Sequence, residues 1–149
     1  MKRVLVVFMI CLVFAACSEE IQPLKSLQKG MPNTMTLSTG DVVYDIKGEW
    51  ETILHTGPIG NSETIFKITQ EGNKFVGIAT IETPFSHKGS ECIKGELEKN
   101  GFKSVEINTL YFAWMPSIGK IDDGCNKIVV KTRIGQKGGN TLTTTLARK

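Results

Sequence analysis

Few residues in this chain belong to the types that carry covalent or metal chemistry, and their spacing suits neither. His55 and His87 stand 32 residues apart, and neither lies in a His/Cys run with metal-ligand spacing. The four cysteines, Cys11, Cys17, Cys92 and Cys125, include no C-x-x-C pair of the redox or zinc type. There is no Gly-rich phosphate loop and no Gly-x-Ser-x-Gly elbow. Asp122-Asp123-Gly124 reads either as a fragment of a calcium loop or, more simply, as a turn. Glu91, Glu96 and Glu98 could hold an acid–base pair, but Lys94 shares a strand face with Glu96 and Glu98, which points to a solvated exterior. The expectation is a non-enzymatic protein with no metal and no cofactor.

Charge narrows the partners. The chain has 149 residues and a formal charge of +3. Lys2 and Arg3 lie in an N-terminal segment expected to be removed, which leaves 16 basic against 15 acidic side chains. So even a balance argues against a nucleic-acid clamp, which needs a basic face for phosphates. The length suits one domain. Apolar and charged fractions of 40% and 22% mark it as globular.

The N-terminus carries the sharpest signal. Met1-Lys2-Arg3 precedes an apolar run from Val4 to Val13, and Phe14-Ala15-Ala16-Cys17 closes it before Ser18-Glu19-Glu20. These are the parts of a secretory signal, and the run is too short to span a bilayer core about 30 Å thick. Phe-Ala-Ala-Cys resembles the lipobox of bacterial lipoproteins, with Phe14 where that family most often has Leu. The resemblance implies a signal peptide over residues 1–16, cleavage after Ala16 and acylation of Cys17, so that membrane lipid is the first partner. It places the protein in a bacterial cell envelope, and at the outer membrane if the host has two membranes, because Ser18 is not the Asp of the retention signal. An ordinary secretory signal with an incidental cysteine is the other reading. Two or three acyl chains hold a protein firmly where one does not.

Residues 17–45 read as lipid anchor and tether. Pro23, Gly30, Pro32 and Gly40 interrupt any pattern, and as a loose coil the arm of about 28 residues after Cys17 reaches about 30 Å. Val42-Val43-Tyr44 could add a strand or plug one end of the fold. With Cys11 in the leader and Cys17 acylated, Cys92 and Cys125 remain in a compartment that permits disulfides. A Cys92–Cys125 bridge closing about 34 residues would stabilise by about 4 kcal/mol on the chain-entropy model. Two separate buried thiols are the alternative.

From residue 46 to 149 short β-rich runs alternate with turn residues. They fall at 50–54, 64–70, 74–82, 91–97, 103–114, 117–121, 127–134 and 141–147. Phe66 and Ile68 alternate with Lys67 and Thr69 ahead of the Gly72-Asn73 turn, and Ile128, Val130 and Thr132 share a face. Eight short strands with short connections predict an all-β fold, an antiparallel up-and-down barrel. At this size the interior is filled by side chains or holds one small ligand.

Gly48-Glu49-Trp50 on the first of these strands resembles the Gly-x-Trp that opens lipocalins and avidin-like barrels. In lipocalins that Trp packs at the closed end beside an Arg late in the last strand, and Arg148 stands in a comparable place. Trp50 as an ordinary core residue is an equally good reading. About 100 residues is short for a lipocalin and nearer an avidin-like barrel. Tyr111-Phe112-Ala113-Trp114-Met115-Pro116 breaks the alternation of the fifth run, so that one face would enter the barrel and the other would meet the N-terminal arm, a partner or lipid. Trp50, Tyr111 and Trp114 are therefore the candidate ligand contacts. Two functions follow as expectations. One is a lipid-anchored barrel binding a small apolar or amphipathic ligand. The other is a structural or interaction lipoprotein with a filled core, acting as an envelope-complex subunit or a hydrolase inhibitor. Thr80, Thr109, Thr132 and Thr144 on the inward faces leave the choice open.

Overall fold

The computed structural model describes residues 33–56 (backbone only for 54–56), 63–84, 86–99, 101–108, 113–134 and 139–149. The signal segment, Cys11, Cys17, the tether up to residue 32, Thr109 and Tyr111 lie outside the described residues. Ten strands are present: β1 Thr34–Thr36, β2 Val42–Tyr44, β3 Gly48–Thr56, β4 Ile65–Glu71, β5 Lys74–Ala79, β6 Glu91–Glu98, β7 Gly101–Asn108, β8 Trp114–Ile121, β9 Lys127–Arg133 and β10 Thr141–Arg148. No helix occurs among the described residues.

Strands β3 to β10 close into an eight-stranded barrel in which every neighbour is antiparallel and sequential, and β10 returns to β3. This is the up-and-down barrel expected from the period-two runs. The fifth run is the main departure. β7 stops at Asn108 and β8 already begins at Trp114, so Trp114 and Met115 open the next strand, and residues 109–112 lie outside the described residues.

Alternation sets the core. Phe66, Ile68, Phe75, Ala79, Ile93, Val105, Ile128, Val130 and Leu146 are buried inward-facing positions. Glycines make room for the large ones. A Cβ on Gly119 would lie 2.5 Å from Phe102 Cδ2, and one on Gly77 would lie 2.5 Å from Ile93 Cγ2. Phe102 in turn packs on Phe75, with ring centroids 5.4 Å apart. Bulges at Gly77/Ile78, Glu96/Leu97 and Thr145/Leu146 bend the strands as barrel closure requires.

Antiparallel order sends the connections alternately to two ends. The β4–β5, β6–β7 and β8–β9 turns lie at one end. The β3–β4, β5–β6, β7–β8 and β9–β10 connections lie at the other, and three of these include residues outside the described set. The β1–β2 hairpin covers the first end. Val43, Tyr44 and Ile46 are buried there, so the last residues of the segment read as tether pack against the barrel. The plugging role considered for Val42–Tyr44 is the one they take.

Candidate functional site

The closed end is built around Trp50, which is 0% exposed. Gly48 precedes it with φ +127°, a value that disfavours any side chain, and a Cβ there would meet Arg148 Nη1 at 3.5 Å. The Trp50 indole N–H donates to the Ile46 carbonyl at 2.9 Å. Ile46 N–H donates to Gln70 Oε1 at 2.9 Å, and Gln70 Nε2 donates back to the Tyr44 carbonyl at 3.0 Å. One glutamine thereby ties the plug to β4 where no strand ladder joins the plug to the barrel.

Arg148 fastens this end. Register places it opposite Trp50, and its guanidinium carbon lies 4.6 Å from the Trp50 ring centroid. Its donors reach the Cys125 carbonyl (Nε, 2.9 Å), the Lys47 carbonyl (Nη1, 2.7 Å) and the Asp45 carbonyl (Nη2, 2.8 Å). Three segments distant in sequence, the plug, the β8–β9 turn and β10, meet on one cation. Charge-assisted bonds to backbone carbonyls are among the stronger ones. The pairing of Trp50 with Arg148 expected at the barrel end is thus what the structure has.

The cysteines do not pair. Both are free and buried, and they lie at opposite ends of the barrel. Cys92 begins β6 at the loop end, where its thiol donates to the Ser90 carbonyl at 3.6 Å. Cys125 sits in the β8–β9 turn at the closed end with φ +53°, and its thiol contacts the Asp45 carbonyl and Arg148 Nη2 (3.2 Å). The expected Cys92–Cys125 disulfide is therefore corrected. A strand length separates the two positions, whereas a bridge needs Cα atoms within about 7 Å. Burial pushes both thiols above their ordinary range; for Cys125 the Arg148 side chain opposes the rise.

The candidate ligand contacts separate as well. Trp50 is sealed in the closed end. Trp114 lies on the outer wall, opposite Asn108 in register, with Lys94 Nζ 4.0 Å from its ring centroid. It does not line the interior. Lys94 also pairs with Glu106, and Lys103 with Glu96, which leaves the glutamates of β6 and β7 on the solvated exterior.

The remaining interior level lies under the loop end and is more polar. Ser117 on β8 and Thr132 on β9 are register partners whose hydroxyls are 2.7 Å apart, and Thr132 and Thr144 are buried. Met115, Ile107 and Leu142 complete this level on the neighbouring strands. Thr132 and Thr144 were visible in the sequence as inward positions. Ser117 was missed, because alternation within β8 is masked by outward Pro116 and Ile118. At the rim Glu82 accepts from the Lys88 backbone N–H (2.8 Å) and pairs with His87 Nδ1 (2.6 Å). These bonds hold the Glu82 carboxyl below its usual range. Among the described residues no group of His, Cys, Asp and Glu could hold a metal ion.

No protein-family model matches the chain, and comparison with curated proteins and with solved structures finds no match either.

Proposed function

We propose that this protein is a lipid-anchored barrel of a bacterial cell envelope, non-catalytic, which holds a small apolar or amphipathic ligand at its loop end. The observation that carries the reading is the inequality of the two ends. One is stoppered by Trp50, Arg148 and the β1–β2 plug. The other receives the four remaining connections and overlies an interior level with hydroxyls from Ser117, Thr132 and Thr144. A polar-flecked apolar level beneath loops suits an amphipathic guest better than a purely aliphatic one would. Acylation at Cys17, after cleavage at Ala16, supplies the anchor, and fatty-acid-analogue labelling that persists in Cys17→Ala would contradict it.

The ligand is tested by native mass spectrometry of protein purified without detergent. A bound small-molecule mass is expected, and Met115→Trp, which crowds the loop-end level, should remove it. No bound mass, together with no uptake of a fluorescent fatty acid, would favour the second reading, an envelope protein acting through its outer surface. That reading draws on the aromatic filling of the core by Phe66, Phe75 and Phe102.

A further inference from the structure

The outer wall formed by β8 and β9 differs from the rest of the barrel. Alternation turns Trp114, Pro116, Ile118 and Lys120 of β8 outward, and Lys127, Val129, Lys131 and Arg133 of β9. Lys120, Lys127, Lys131 and Arg133 are exposed, and none takes part in an ion pair among the described residues. No acidic side chain stands among these eight positions. The nearest acids are Glu106, opposite Pro116 and paired with Lys94, and Asp122 and Asp123 in the β8–β9 turn, where Asp122 accepts the Asn126 and Lys127 backbone N–H groups. Outward residues of the next strand, Thr141, Thr143 and Ala147, are uncharged. In the middle of the basic wall stands Ile118, 73% exposed. Acids cluster elsewhere, with Glu49 and Glu51 on β3 and Glu91, Glu96 and Glu98 on β6.

The chain enters the fold at the foot of this same wall. Asn33 donates from Nδ2 to the Gly124 carbonyl in the β8–β9 turn at 2.9 Å. Fifteen residues, 18–32, separate that point from the acylation site. Fully extended they span at most about 55 Å, against about 27 Å for the eight residues of β8. The link is long enough for the wall to lie flat on the surface that holds Cys17.

We infer that the β8–β9 wall docks on the anionic phospholipid surface of the anchoring membrane, with Ile118 entering the headgroup layer and the four cations over lipid phosphates. Basic residues beside a single apolar side chain suit that interface. The inference rests on the anchoring part of the proposed function. It orients the barrel on its side, with the loop end facing along the membrane.

Lysine acetylation rates test it. The full-length protein isolated from membranes is placed in phosphatidylcholine vesicles with or without about one third phosphatidylglycerol, labelled briefly and read by mass spectrometry. Lys120, Lys127 and Lys131 should react about fivefold or more slowly on the anionic vesicles, while Lys67 and Lys74 on the opposite wall react alike on both. Ile118→Ser with Lys131→Glu should erase the difference. Equal rates on both vesicle types overturn the docking surface. Protection that requires an acidic envelope protein instead of anionic lipid also overturns it. Flotation reports the anchor separately. If the chain fails to float with either vesicle, the anchor reading fails, and protection measured with excess anionic vesicles still decides the wall.

Discussion

The two ends of the barrel are made from the same strands by different means. At the closed end, specificity lies in backbone carbonyls: Asp45, Lys47 and Cys125 all accept from Arg148, and Ile46 accepts from Trp50. At the loop end the Ser117–Thr132 bond runs between side chains. The first arrangement locks one geometry, because a carbonyl cannot be re-aimed without moving its strand. The second leaves hydroxyls that rotate to suit a guest. The closed end holds the fold together, and the proposed binding belongs to the other end.

Breaking the closed end should cost most. Trp50→Ala is expected to lose about 3–5 kcal/mol in urea unfolding, from the void and the freed Ile46 carbonyl. Arg148→Met should lose about 3 kcal/mol, since three carbonyls lose a charged donor together. If either variant proves as stable as the parent, the closed end is not the lock described. Next comes overpacking in the same half: Gly119→Ala drives a methyl into Phe102 and should cost about 1–3 kcal/mol.

The thiols sharpen the comparison without changing the fold. Both should alkylate without prior reduction once the chain unfolds. In the folded protein Cys125 should react about tenfold or more slowly than Cys92, because the loop end opens at lower cost. Similar rates would equate the two ends. Thr132→Val removes one hydroxyl partner from Ser117, which keeps its bond to the Met115 carbonyl. It should shift the unfolding free energy by about 1 kcal/mol or less, while weakening ligand uptake.

The smallest effect concerns the rim. Glu82 has its folded pKa lowered, first by the Lys88 backbone N–H and then by His87. Its ordering contribution is therefore present above the usual carboxylate range and disappears as pH falls through the lowered value. Hydrogen-exchange protection of the Lys88 amide should vanish only once pH falls below the usual carboxylate range, and His87→Ala should leave much of it.

Much of this was legible in the sequence, for reasons specific to each part. The number of barrel strands and most of their bounds follow from period-two alternation and from Gly72-Asn73 and Asp123-Gly124 as turn formers, whereas the start of β8 at Trp114 was hidden by the apolar run before it. Trp50 and Arg148 were paired through the lipocalin resemblance, and register bears that packing out. The partners of Arg148 were invisible, since carbonyls belong to every residue type and only the fold says which are orphaned. The cysteine pairing failed because sequence separation carries no information about which end of a barrel each residue reaches. Trp114 was drawn to the interior by its hydrophobicity, whereas the chain reversal before β8 sets its parity outward. Net charge concealed a wall whose charged residues, Lys120, Lys127, Lys131 and Arg133, are all cations.

The division of labour between the ends is tested most directly by backbone and indole resonances during titration with a medium-chain fatty acid. The account predicts shifts at Met115, Ser117, Thr132, Leu142 and Thr144, with the Trp50 indole N–H unmoved in its bond to Ile46. Shifts centred on Trp50 and Arg148, or none along β8 to β10, would contradict it.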